Sequence, residues 1–276
     1  MQYKTETYQF IADFIYQNLG IVYESKEYFR LDSRISTLLR KFQLSTEQEL
    51  IKKIKESKVS PISLELLDLA TNNETYFFRD QKPFLCVAKD IQDRLLPAGK
   101  TKLTIWSAGC STGQEPYSLA MTLIDAFPNL NFTIKATDIC DTALNKARAG
   151  VYSKLEVSRG LDPQRLNKYF EEIDANSWKI SNRIKTKIQF EKFNLLSDAF
   201  PREAYDLIFC RNVLIYQNFT NREAIMHKLA TSLNSDGLLF LGSGESTIGM
   251  TIDLKMIMIN GAMAFKPTKQ AKQTAA

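Results

Sequence analysis

Residues 102–127 read KLTIWSAGCSTGQEPYSLAMTLIDAF, and this stretch decides the architecture. KLTIWSA is a short apolar run of strand type, GCSTG breaks it, and QEPYSLAMTLIDAF carries helical spacing. The alternation continues downstream. NFTIKATD (131–138) reads as a second strand and DTALNKARAG (141–150) as its helix. YDLIFCRN (205–212) reads as a buried strand, TNREAIMHKLATSL (220–233) as a helix ended by Gly237, and LLFLGSGES (238–246) as a further strand. Strands alternating with helices specify an α/β fold: a mostly parallel sheet covered by helices on both faces.

One segment breaks the pattern. In WKISNRIKTKIQF (178–190), Trp178, Ile180, Ile184, Ile188 and Phe190 occupy even positions, while Lys179, Arg183, Lys185 and Lys187 occupy odd ones. Period-2 alternation around a Ser-Asn turn signal predicts an antiparallel hairpin with one apolar and one basic face, in an inserted β-subdomain at about 153–190. Upstream of the sheet the chain reads as helical. Leu31, Ile35, Leu38, Leu39 and Phe42 in YFRLDSRISTLLRKF form one apolar face, with Arg30, Arg34 and Lys41 in a stripe beside it. That stripe is either a solvated face or a contact surface for an acidic partner. TEQELIKKIK and, after Pro61, ISLELLDLA add further helices. The expected division is a small all-helical N-terminal domain at 1–71 and a larger α/β domain at 72–276.

Composition narrows the chemistry. No apolar run approaches the ~20 residues that span a bilayer, and MQYKTETYQF lacks the features of a secretory signal, so no membrane insertion and a cytoplasmic location are expected. Cys86, Cys110, Cys140 and Cys210 form no CxxC pair and read as reduced thiols, which gives no metal site. The single histidine, His227, falls in a helical pattern, so triads and histidine-based acid–base chemistry are poorly supported. The net charge of +5 is mild, and Lys266, Lys269 and Lys272 of the basic tail (about 266–276), which reads as disordered, supply +3 of it. Nucleic acid is not an expected partner.

In open parallel sheets, ligands bind beyond the carboxyl ends of the strands. Here the turn Gly109 to Gly113 follows the first strand and Asp138 ends the second, where a carboxylate suits a ribose diol. The third glycine of a dinucleotide fingerprint is missing, and there is no room for a second nucleotide-binding half. A cofactor with adenosine but no pyrophosphate, S-adenosylmethionine, fits better. Thr112-Gly113-Gln114-Glu115 matches a capping box, and on pattern alone Glu115 reads as part of a helix cap rather than as a pocket carboxylate.

TNNETYFFRD (71–80), WSAGCSTGQEPYSLAM, ATDI, FNLL and FCRNVLIY, in this order and spacing, resemble the chemotaxis receptor glutamate methyltransferases, the CheR family. The resemblance spans nearly the whole chain. It implies a Rossmann-like S-adenosylmethionine-dependent methyltransferase domain with an inserted antiparallel β-subdomain behind the helical domain. The implied activity is methyl transfer to glutamate side chains on the cytoplasmic methylation helices of chemoreceptors, releasing S-adenosylhomocysteine. Carried over motif by motif, the cofactor contacts fall on Asn73, Thr75, Arg79, Glu115, Asp138, Asn194, Leu195, Arg211 and Asn212. For Glu115 the resemblance overrides the capping reading. Gln114, where many relatives carry an acidic residue, is a minor departure. Arg79, with its planar fork, and Tyr216, with its phenol, are the expected catalytic residues. Phe77 and Phe78 are expected to pack. Some members hold a receptor C-terminal peptide on the β-subdomain and others do without it; the residues here leave both open.

Two rivals have weaker support. Methylation of base amino groups commonly uses an Asn/Asp-Pro-Pro-Tyr motif, whereas this chain has Asn212-Val213-Leu214-Ile215-Tyr216. A non-catalytic receptor adaptor would not need the polar residues that stand at every matched position.

Overall fold

A computed structural model of the chain describes residues 2–268. Of the basic tail expected to be disordered, Lys266 lies instead in the strand Ala262–Pro267 and pairs with Asp236 at 3.0 Å, while Lys269 and Lys272 lie outside the described residues. The chain forms two compact units, one comprising the residues up to Asn72 with Tyr216–Asn221, the other Asn73–Ile215 with the remainder.

The first unit is helical: Gln2–Leu19, Phe29–Lys41, Glu47–Glu56 and Pro61–Ala70. Local chemistry sets two of the starts. Thr46 and Ser60 accept hydrogen bonds from the backbone N–H groups of Glu49 and Ser63, and Pro61 supplies a preset first turn. Leu31, Ile35 and Leu38 are buried with Ile11, Ile15, Leu50, Ile54 and Leu66, as the apolar periodicity requires. The basic stripe is largely engaged within the unit. Arg34 donates through Nε to the Leu69 carbonyl at 2.8 Å, Arg30 and Arg34 lie over the Tyr23 ring, and Lys41 pairs with Glu65 at 2.6 Å. Tyr216–Asn221 joins this unit through a bridge between Ile21 and Gln217 and through a Gln217 side-chain bond to the Leu19 carbonyl at 2.9 Å.

Among the described residues the second unit has ten strands: β1 Lys102–Ala108, β2 Asn131–Asp138, β3 Val151–Ser153, β4 Phe170–Asp174, β5 Ser177–Ile180, β6 Ile188–Lys192, β7 Tyr205–Cys210, β8 Leu233–Leu241, β9 Leu254–Ile259 and β10 Ala262–Pro267. Seven form one sheet in the order β6-β2-β1-β7-β8-β10-β9. β6, β2, β1, β7 and β8 run parallel, and β10 is antiparallel to both β8 and β9. All six residues of β7 are buried, as a central strand covered on both faces demands. The chain leaves β1 for β2 and β6 on one side, then returns to place β7 on the other. The resulting switch point between β1 and β7 is where a doubly wound, Rossmann-like sheet receives its ligand.

A second, three-stranded antiparallel sheet, β3-β5-β4, is inserted between β2 and β6. The expected hairpin at 178–190 does not form. After β5, Ser181 and Asn182 open a helical turn, Asn182–Lys185, and Ile184 N and Lys185 N both donate to the Ser181 carbonyl. β6 then runs parallel to β2, with Ile134 opposite Ile188. Ile180, Ile184 and Ile188 are four apart, a spacing that fits a helical turn as well as a strand, and all three are buried. The basic residues are consequently divided: Lys179 lies in β5, Arg183 and Lys185 in the helical turn, and Lys187 in the turn before β6. A second correction concerns the helix Phe219–Ser232, which passes directly into β8 at Leu233, with Gly237 inside that strand. Leu233 pairs with Tyr205, and the register shifts before Leu207 pairs with Leu238. β8 itself ends at Leu241, so GSGES is a turn.

Candidate active site at the strand ends

The expected site residues of the second unit fall on the segments that follow the carboxyl ends of β1, β2, β6 and β7, and on the strip 73–80. After β1, a Cβ on Gly109 would lie 2.3 Å from Val213 Cγ2, so only glycine lets this loop approach the loop after β7. Ser111 in the β1 loop, Asn212 after β7, and Phe78 and Asp80 in the strip all adopt positive φ values. Such conformations persist only where surrounding contacts impose them.

Asp138 ends β2 as a buried carboxylate. It accepts from Ser111 N at 2.7 Å and from Cys140 N at 3.0 Å. Ser111 in turn donates through its hydroxyl to the Asn73 carbonyl, and Asn73 Nδ2 contacts Cys140 Sγ at 3.4 Å. The first residues of the strip are thus tied to the ends of β1 and β2.

Glu115 is not a cap. Gly113 occupies the N-cap position in a left-handed conformation, and the Thr112 hydroxyl donates to Gln114 Oε1 instead. Glu115 Oε1 accepts from Ser107 at 2.8 Å and Oε2 from Arg211 Nη1 at 3.1 Å. Burial pushes its carboxyl up from the ordinary value, with Arg211 and Ser107 pulling the other way. The Arg211 side chain is 2% exposed; its Nη2 donates to the Arg79 carbonyl at 2.8 Å and to Asp80 Oδ2 at 2.9 Å, while Nε has no partner. Arg211 therefore links the β1 side of the rim to the strip.

The remaining expected residues divide. Arg79 contributes its carbonyl to Arg211, but its guanidinium donates to the Glu74 carbonyl at 3.0 Å and lies over Tyr76. Thr75 is half-buried in the same strip. Asn194 follows β6 and closes a turn, accepting from Leu196 N at 2.9 Å, while Leu195 packs on the apolar cluster around Trp106. Asn212 presents its backbone N–H to Glu245 at 2.9 Å. Tyr216 belongs to the first unit, where its phenol oxygen accepts from Asn72 Nδ2 at 2.7 Å. Phe77 and Phe78 are packing residues: Phe77 meets Tyr152 and Phe170 edge-on, and Phe78 meets Phe84. Sequence reasoning missed Asn72, Asp80, Ser107, Ser111 and Glu245. The last lies in the turn that follows the parallel strand β8, beyond its carboxyl end at Leu241.

The donor set suits an adenosyl amino-acid cofactor. A carboxylate at the end of β2 matches a ribose diol, the Glu115 carboxylate matches an ammonium, and the unpartnered Arg211 Nε is a buried donor in want of an acceptor. Among the described residues, no group of three or more His, Cys, Asp or Glu side chains could hold a metal ion.

A sheet of this order, with acid, amide and guanidinium groups gathered beyond its carboxyl ends, places the chain among the S-adenosylmethionine-dependent methyltransferases. Residues 73–262 match the family model described as "CheR methyltransferase, SAM binding domain", and the chain belongs to that family. The "Chemotaxis protein methyltransferase" of Vibrio parahaemolyticus is 35% identical over 269 residues, covering 95% of this chain and 96% of its own. The "Chemotaxis protein methyltransferase 1" of Pseudomonas aeruginosa is 33% identical over 92% of this chain and 94% of its own. Among solved structures, a TehB-like SAM-dependent methyltransferase from Corynebacterium glutamicum aligns over 69% of this chain and 98% of its own, with 13% identity and a TM-score of 0.37.

Proposed function

We propose that this chain transfers the methyl group of S-adenosylmethionine to glutamate side-chain carboxylates on the cytoplasmic methylation helices of chemoreceptors. The products are glutamyl methyl esters, formed in the cytoplasm during chemotaxis adaptation. The observation that carries this reading is the extent of the similarity. Relatives called chemotaxis protein methyltransferases match over 95% of the chain, so the likeness includes the helical segment and the inserted sheet as well as the cofactor domain.

The chemistry agrees with the residues. A glutamate carboxyl has a reference pKa near ~4.3, so at neutral pH the acceptor is already an ionised nucleophile. No general base is needed, and the one histidine, His227, is exposed on the helix Phe219–Ser232 rather than on a strand-end loop. S-adenosylmethionine supplies an electrophilic methyl carbon on a cationic sulfonium. Charge is neutralised as carboxylate and sulfonium react, so water, which stabilises the separated charges, slows the reaction. The protein's task is to align the reactants and exclude water.

Asp138 accepts from the ribose hydroxyls. Glu115, oriented by Arg211, holds the cofactor's ammonium. Asn73, Thr75, Asn194 and Asn212 supply further polar contacts, and Leu195 an apolar one. Arg79 offers a fork to a carboxylate, and Tyr216 donates a hydrogen bond that orients the incoming glutamate without the grip of a second cation. A receptor C-terminal peptide on the inserted sheet remains a separate proposal, carried by family resemblance alone.

Incubation with radiolabelled S-adenosylmethionine and candidate acceptors tests the reading. Label should appear on receptor cytoplasmic fragments and not on RNA, DNA or small acids. Transfer to nucleic acid with none to receptor would overturn it.

A further inference from the structure

Glu245 lies in the turn after β8 and is 6% exposed. Its carboxylate accepts four backbone N–H donors. Oε1 receives Val213 at 2.9 Å and Leu214 at 2.7 Å; Oε2 receives Asn212 at 2.9 Å and Gly242 at 2.7 Å. No lysine or arginine pairs with it among the described residues. Three consecutive N–H groups converging on one anion form a backbone nest. The left-handed conformation of Asn212, φ 60°, turns the first of them inward. A Cβ on Gly242 would lie 2.7 Å from Asn212 Nδ2, so the glycine lets the two loops touch.

Burying an ionised carboxylate is costly unless its acceptors are filled, and here all the compensation comes from backbone. The loop cannot shift without stripping an anion of its donors. The nest begins immediately after Arg211, whose guanidinium holds Glu115 Oε2, the Arg79 carbonyl and Asp80.

We propose that Glu245 is a positioning residue: an internal anion that fills the nest at 212–214 and thereby sets Arg211 and Asn212 for the cofactor. This rests on the reading that the strand-end rim binds S-adenosylmethionine. The role differs from that of a stability contact, because it should appear in cofactor affinity at temperatures where the variant is fully folded.

The test is calorimetric titration with S-adenosylhomocysteine, with circular dichroism and thermal unfolding as controls. Glu245→Gln keeps the shape but replaces one acceptor oxygen by a donor facing N–H groups. It should raise the dissociation constant tenfold or more while remaining folded. Its effect should be non-additive with that of Asn212→Ala, since both act through one loop. Glu245→Ala leaves the nest without its anion, so millimolar formate should restore affinity in this variant and leave the wild type unaffected. If Glu245→Gln does not fold, Glu245→Ala prepared in formate gives the same reading: formate-dependent affinity supports the proposal and formate-independent affinity overturns it. Wild-type affinity in folded Glu245→Gln overturns it as well. A wild-type protein that binds no S-adenosylhomocysteine would instead overturn the cofactor reading beneath it.

Discussion

Glu115 and Tyr216 show what single residues contribute. Glu115 has its carboxyl pushed up by burial and partly restored by Arg211 and Ser107. A raised value means that acidification neutralises Glu115 before it would a free glutamate, whose pKa is near ~4.3. If the ionised form holds the cofactor's ammonium, affinity for S-adenosylhomocysteine should fall as pH drops through that raised value. Glu115→Gln should bind more weakly at neutral pH and respond little over the same window; parallel pH profiles for variant and wild type would remove Glu115 from the ammonium. For Tyr216 the expectation concerns rate. Its oxygen accepts from Asn72, which leaves the O–H to donate. Tyr216→Phe should reduce single-turnover methyl transfer by 10-fold or more, roughly the loss of one hydrogen bond to a charged group, while cofactor affinity stays within about 2-fold. An unchanged rate would deny the hydroxyl its role. Both residues are singled out by family resemblance; on pattern alone Glu115 reads as part of a helix cap. The partners that aim them, Arg211 apart, are not, because a hydrogen bond such as that from Asn72 to Tyr216 spans 144 residues and leaves no local pattern.

At the scale of elements, period and propensity located most helices and strands but did not always fix where they pair. The segment 178–190 shows why. Isoleucines four apart satisfy a strand and a helical turn equally, and the choice went to the helical turn opened at Ser181 and the vacant edge of β2. The pair β9–β10 carried a clear signal that went unread, Asn260-Gly261 between two apolar runs, and both residues take the positive φ that such a tight turn requires. The inserted segment is held by a charged cluster. Asp125, on the helix Gln114–Ala126, accepts from Lys168 at 2.6 Å, Tyr169 at 2.5 Å and Arg165 at 3.3 Å. Burial alone would raise its pKa, but those three hydrogen bonds together bring it below the ordinary value. A lowered folded value contributes stability that is complete above the unfolded pKa, ~3.9, and is lost as pH falls through the folded one. Asp125→Asn should therefore lower the melting temperature at pH 7 by about 2–4 °C per kcal/mol lost, with no more than about 1 kcal/mol at stake because solvent screens these exposed pairs, and the gap should close as pH falls below about 4. A gap that persists unchanged in acid would mean that packing, not charge, holds the segment.

Across the molecule, the alternation that begins at Lys102 was enough to specify a parallel sheet, and the rule that ligands meet strand ends was enough to single out Asp138. Strand order was not legible, because β6 and β7 flank β2 and β1 through pairings distant in sequence. Many chemistries share this sheet, so the fold alone does not define the family; five motifs in fixed order and near-full-length relatives do. The central claim is that the methyl group ends on a glutamate oxygen of a receptor. The most direct measurement is peptide mapping by mass spectrometry of a receptor cytoplasmic fragment after incubation with enzyme and S-adenosylmethionine, before and after mild alkali. The account predicts one added methyl on glutamate-containing peptides of the methylation helices, removed by alkali as an ester must be. Methyl groups that survive alkali, or that map to lysine, arginine or the cofactor domain itself, would contradict it.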